Sequence, residues 1–136
     1  MIQSSVGHLV FAINAANAGF YKNLLTFLGW NAIFEHEGSA GFSDASKTSL
    51  WFMAGAKPIG NDYDGPGLNH FALAVPKQVD VDTAAKYLAD RGVKHLFETP
   101  RHRPDFVSDP SQTYYQVMFE SPDRILFEIV YTGPKE

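Results

Sequence analysis

Gly7-His8-Leu9-Val10-Phe11-Ala12 and Asn69-His70-Phe71-Ala72-Leu73-Ala74 are the two stretches whose reading decides the fold. Each is a short strand-like run with one His at the same place. The segments after the two runs match as well. Asn14 to Leu28 reads as a helix, with Phe20, Leu24, Leu25, Phe27 and Leu28 at helical spacing and Gly29 ending it. After His70, the residues Val81, Ala84, Ala85, Leu88 and Ala89 repeat the helical pattern, with Asp80 as expected N-cap and Gly92 past the end. Gly29 lies 21 residues after His8 (29 − 8), and Gly92 lies 22 after His70 (92 − 70). That near-equal spacing points to a duplicated supersecondary unit.

Strand patterns come after each helix. Trp30 to Glu37, Ala40 to Asp44 and Ser49 to Ala54 complete the first unit; Val93 to Glu98, Thr113 to Phe119 and Ile125 to Tyr131 complete the second. Each unit reads βαβββ. The expected fold class is therefore α+β, with two such modules forming a curved, barrel-like mixed sheet. The whole chain, 1–136, is read as one domain: module 1 about 1–55, a Gly/Pro-rich linker about 56–67, and module 2 about 68–133. A proline-bearing stretch, Thr99 to Gln112, reads as an extra loop in the second module.

Side chains alternate across a strand. His8 then shares a face with Val10 and Ala12, and His70 with Ala72 and Ala74. Glu128, inside the apolar run Ile125 to Val130, shares a face with Leu126 and Val130. The bulky opposite faces are expected to pack on the helices. An ionised Glu in a sheet core is costly unless paired or bound to a cation. Two imidazoles and a carboxylate on three strands make a facial triad with open positions. The expected cofactor is a divalent metal: iron, manganese, nickel or zinc. A His–Glu hydrogen-bond network without metal is the competing reading.

Composition narrows the classes. The 136 residues are 45% hydrophobic and 14% aromatic, with net charge −4, which suits a packed core and disfavours nucleic acid or an anionic membrane as partner. No apolar run approaches the ~20 residues of a membrane helix. Cysteine is absent, so disulfides, thiolate ligands and Cys nucleophiles are excluded. No secretory leader is visible, and a cytoplasmic setting is expected.

With its paired βαβββ units, Phe20-Tyr21…Leu28-Gly29-Trp30, and Ser121-Pro122-Asp123 before the last strand, the chain resembles the vicinal oxygen chelate superfamily over its whole length. This is the glyoxalase, bleomycin-resistance and extradiol-dioxygenase group. The resemblance implies metal ligands at His8, His70 and Glu128, a small-molecule substrate that chelates the ion through vicinal oxygens, and a homodimer. Departures from the pattern are specific. Aligning the last strands of the two modules puts Phe52 where some relatives carry a fourth ligand. Met118 stands ten residues before Glu128, where several relatives carry Tyr; Val10 stands where the thiol transferases carry Thr; Arg124 replaces a turn Gly.

Strand parity puts Tyr114, Gln116 and Met118 on the cavity side and Tyr115, Val117 and Phe119 on the helix side. Tyr114 and His102 are the candidate acid–base residues. Gln116, Met118, Phe52, Arg101 and Arg103 are the candidate substrate contacts, the two arginines for a carboxylate or phosphate. Trp51 and Phe42 would add aromatic wall, and His36 and His95 read as surface residues. The expected function is a glyoxalase- or dioxygenase-like metalloenzyme, lyase or oxidoreductase in class. The alternative is a small-molecule binding protein of the bleomycin-resistance type, without catalysis.

Overall fold

The computed structural model describes residues Met1–Glu136, which divide into two compact units, Met1–Gly60 and Asn61–Glu136. The first holds β1 (His8–Ile13), a 3-10 turn (Ala15–Asn17), α1 (Ala18–Phe27), β2 (Asn31–His36), β3 (Ser39–Ser43) and β4 (Ser49–Ala54). The second holds β5 (Phe71–Ala74), α2 (Gln78–Asp90), β6 (Leu96–His102), a 3-10 turn (Pro104–Phe106), β7 (Gln112–Glu120) and β8 (Leu126–Pro134). Both are βαβββ units. Their open sheets have matching orders, β1-β4-β3-β2 and β5-β8-β7-β6, with one parallel pair (β1 with β4, β5 with β8) and two antiparallel ones. The fold is α+β with two mixed sheets. No helix is long and apolar enough to cross a membrane.

Each sheet buries one face under its helix. In the first unit Phe11, Ile13, Leu50 and Phe52 meet Tyr21, Leu24 and Leu25 of α1. Phe52 stacks between Phe11 and Tyr21, with ring centroids 5.1 and 4.4 Å away, contacts each worth about 0.5–1.5 kcal/mol beyond area burial. In the second unit Leu73, Val117, Phe119, Phe127 and Ile129 pack with Val81, Ala84 and Leu88 of α2. On the opposite faces, His8, Val10 and Ala12 of β1 and Ala72 and Ala74 of β5 are exposed, as strand parity requires.

Several details depart from the sequence reading. The stretch before Ala18 is a 3-10 turn whose N-cap, Asn14, accepts from Ala16 N–H at 3.0 Å. Lys77, not Asp80, is the N-cap of α2; Asp80 is its third helical residue, and its carboxylate accepts the Lys77 N–H at 3.1 Å. His70 precedes its strand by one residue. Part of the expected Thr99–Gln112 loop is strand, because β6 runs to His102 across a wide bulge. Leu96 pairs with Met118 and Arg101 with Gln116, so the four residues of β6 between them stand opposite one of β7, Val117. Phe97 and Glu98 take φ of 57° and 60° there. Thr99 Oγ1 donates to Leu96 C=O at 2.7 Å and accepts from Met118 N–H at 2.9 Å. The bulge thus seats Pro100, which has no N–H for the ladder. His95, read as surface, is half-buried, its Nε2 2.9 Å from the Ala85 carbonyl of α2.

Candidate functional site

The repeat fixes which residues correspond. Val10 pairs with Trp51 on β4, and Ala72 pairs with Glu128 on β8. Val10 and Ala72 each stand two residues after their His, so the counterpart of Glu128 is Trp51. The alignment that chose Phe52 is one residue out, and a one-residue slip reverses the face. Phe52 is fully buried on the helix side of its sheet and is not a substrate contact. Trp51, half-buried on the other face, donates its indole N–H to Ser49 Oγ at 3.0 Å. Like Phe52, it cannot bind a metal.

In the second unit four residues from three segments converge: Asn69 and His70 before β5, Tyr114 on β7 and Glu128 on β8. Glu128 is 1% exposed. Its Oε2 lies 3.0 Å from His70 Nε2, and its Oε1 accepts the Tyr114 hydroxyl at 2.5 Å. His70 Nδ1 lies 2.8 Å from Asn69 Oδ1. Asn69 Nδ2 donates to the Tyr63 carbonyl at 2.8 Å, which turns the amide oxygen toward the ring. Nδ1 therefore carries a proton, which leaves Nε2 as the ring nitrogen that faces the carboxylate oxygen. Two lone pairs in that position repel unless a proton or a cation is shared between them. The donor set fits a divalent ion, since imidazole and carboxylate are usual ligands of one. Within neither unit does a third His, Asp or Glu join the pair. His8 is on β1 of the first unit, exposed.

The pair opens into a cleft of about 310 Å³ lined also by Tyr114, Gln116, Met118, Arg103 and Phe106. Burial, with the hydrogen bond to Glu128 second, pushes the Tyr114 hydroxyl far above its usual pKa. Tyr114 thus keeps its proton at physiological pH and serves as a neutral hydrogen-bond donor to Glu128. Gln116 is 2% exposed and accepts from Arg103 Nη1. The helix side of the same strand behaves differently: Tyr115 donates to Asp82 of α2 at 2.6 Å, and burial followed by that carboxylate pushes its pKa up to about 12.

Two other expected site residues lie apart from the cleft. His102 projects to the helix side of β6, stacks on Tyr115 at 4.5 Å and places Nδ1 2.5 Å from Thr113 Oγ1. It lines a separate cleft of about 550 Å³ with Thr113, Asp109 and Lys135, so it is not the acid–base partner of the His70–Glu128 pair. Arg101 shares a face with Gln116 but pairs with Glu98 at 3.6 Å and does not line the cleft. The sequence reading missed Asn69, Tyr63 and Phe106. Asn69 was the one with a signal, as a polar residue beside a candidate ligand.

No family model and no curated protein matches the chain. Solved structures do. A glyoxalase candidate from Bacillus halodurans superposes with a TM-score of 0.79 at 25% identity, over 95% of this chain and 96% of its own. A glyoxylase/bleomycin resistance protein/dioxygenase domain from Frankia gives 0.68 at 20% identity, over 97% and 100%. The fosfomycin resistance protein FosX of Listeria monocytogenes gives 0.65 at 18% identity, over 96% and 94%. A Glu-to-Gln variant of that protein is known in complex with Mn(II) and 1S,2S-dihydroxypropylphosphonic acid.

Proposed function

We propose that this chain, which has the fold of the vicinal oxygen chelate superfamily, is a metal-dependent enzyme acting on a small substrate with two adjacent oxygens. The observation that carries the reading is the Asn69–His70–Glu128–Tyr114 array: a buried carboxylate 3.0 Å from an imidazole Nε2 at the floor of a cleft. His70 and Glu128 are two ligands, and His8 is the third, brought by the first unit of the same chain or of a second copy in a homodimer. A divalent ion held there supplies Lewis acidity to a chelated oxygen. Asn69 fixes the His70 tautomer. Tyr114 orients Glu128 and holds a proton next to the reacting oxygens. Phe97, Met118, Leu126 and Phe106 give the cleft an apolar wall.

The test is metal content and affinity, by elemental analysis and calorimetry with Mn(II), in the wild type beside His8→Ala, His70→Ala and Glu128→Ala. One ion per chain, lost in all three folded variants, supports the reading. Wild-type protein that takes up no Mn(II), Fe(II), Ni(II) or Zn(II) sinks it. A binding protein of the bleomycin-resistance type is the second reading. It is favoured by Trp51 at the place of a fourth ligand and by the removal of His102 from the cleft. Tight ligand binding without turnover by metal-loaded protein would select it.

A further inference from the structure

Arg103 is the one Lys or Arg side chain lining the cleft. Its guanidinium carbon sits 4.2 Å above the Phe106 ring. Nη1 donates to the buried Gln116 Oε1 and Nη2 to Asp105 Oδ2, both at 3.4 Å. Phe106 in turn meets Tyr114 edge to face, centroids 5.2 Å apart, and Tyr114 holds Glu128. The guanidinium and the His70–Glu128 pair are therefore fixed to one framework of side chains.

The two polar contacts are long, so they orient the guanidinium more than they neutralise it. Asp105 is a weak competitor, since its side chain is 63% exposed and well solvated. A guanidinium has five N–H donors, and two are engaged here. A planar cation laid on an aromatic face, with donors to spare and only 27% exposed, matches the fork geometry of an oxyanion.

We propose that Arg103 is the anion-recognition residue of this cleft, so that the substrate carries a carboxylate, phosphate or phosphonate besides its two chelating oxygens. The inference rests on the metal-site reading above and adds the substrate class. On binding, the substrate anion takes the place of Asp105 on the guanidinium, while Gln116 and Phe106 keep the fork in position.

The probes are catechol and 3,4-dihydroxybenzoate, a vicinal diol with and without a carboxylate, titrated calorimetrically into Mn(II)-loaded protein. The expected result is carboxylate binding tighter by about tenfold or more in the wild type. Arg103→Met abolishes the preference, bringing the ratio of the two affinities to about one; Arg103→Lys keeps part of it. Asp105→Asn, which removes the competing carboxylate, enlarges it, an effect that a purely structural Arg103 would not produce. Equal affinity for the two probes in the wild type, or a preference that survives in Arg103→Met, overturns the proposal. Metal binding without the preference overturns it alone; a wild type that takes up none of Mn(II), Fe(II), Ni(II) and Zn(II) removes the metal reading and this one with it.

Discussion

The Tyr114 hydroxyl reaches the buried Oε1 of Glu128 although the two residues are not opposite one another in the ladder. Met118 is the residue paired with Glu128, and Tyr114 is paired with Thr132. Tyr114 and Met118 lie on one face of β7, two same-face positions apart, and the length of the phenol spans the offset.

Replacing Tyr114 by Phe leaves a carboxylate that is 1% exposed with one oxygen short of a donor. A hydrogen bond to a charged group is worth about 1.5–3 kcal/mol. Tyr114→Phe should lower the stability of metal-free protein by an amount near the bottom of that range, measured by urea unfolding at neutral pH. It should also reduce turnover by the metal-loaded protein. Unchanged stability would mean that water or another side chain replaces the hydroxyl.

Asn69 acts on the site through His70. Its amide is held by the Tyr63 carbonyl, and its oxygen holds the imidazole in one tautomer. Asn69→Ala frees the ring to rotate and to protonate Nε2, the nitrogen assigned to the metal. Loss of such a supporting contact typically weakens metal affinity by about 10–100-fold. Calorimetry with Mn(II) should show that drop with stoichiometry unchanged. A variant that binds as tightly as wild type would leave Asn69 with a purely local role.

The repeat was legible because it is written in period: helical spacing, terminal glycines and two His at matching places. Which face each strand turns inward was legible for β1, β5 and β7 for the same reason. The misplacement of Phe52 came from aligning letters in β4 with letters in β8, where both faces of β8 are buried and hydrophobicity gives no phase. The ladder pairings supply that phase. Arg101, His102 and Arg103 could not be sorted from sequence, because the bulge before them resets which side each one takes. Asn69 and Phe106 work by orienting a neighbour, and that role leaves no periodic trace.

The source of the third ligand can be read by complementation. Mixing His8→Ala with Glu128→Ala protein, after unfolding and joint refolding, tests whether one site draws on two chains. If His8 serves the pair of its own chain, the mixture binds no metal, since every chain lacks a ligand. If it serves a second copy, half of the dimers are mixed, each with one intact site of two, and binding recovers to about a quarter of wild type. Elemental analysis of the refolded mixture distinguishes the two outcomes, and each variant refolded alone is the control.

Arg124 lies in the turn between β7 and β8 with φ of 59°, a conformation that costs a side-chain-bearing residue about 1–2 kcal/mol. The contacts that matter to the turn are backbone ones: Arg124 N–H donates to Ser121 C=O at 2.9 Å, and Asn61 Nδ2 donates to the Arg124 carbonyl at 3.0 Å. Glycine keeps both. The side chain adds only a 3.7 Å approach to Glu120 and a 5.6 Å approach to the Tyr63 ring, and such exposed pairs are worth little. Glycine brings back about 0.5–1 kcal/mol of unfolded-chain entropy, which is less than the strain it removes. Arg124→Gly should therefore stabilise the protein by about 0.5–1 kcal/mol, raising Tm by roughly 1–3 °C in calorimetry. Arg124→Ala separates the two contributions, because it deletes the side-chain contacts and keeps the strain. A Tm lowered equally in both variants would show that the Glu120 and Tyr63 contacts outweigh the backbone term.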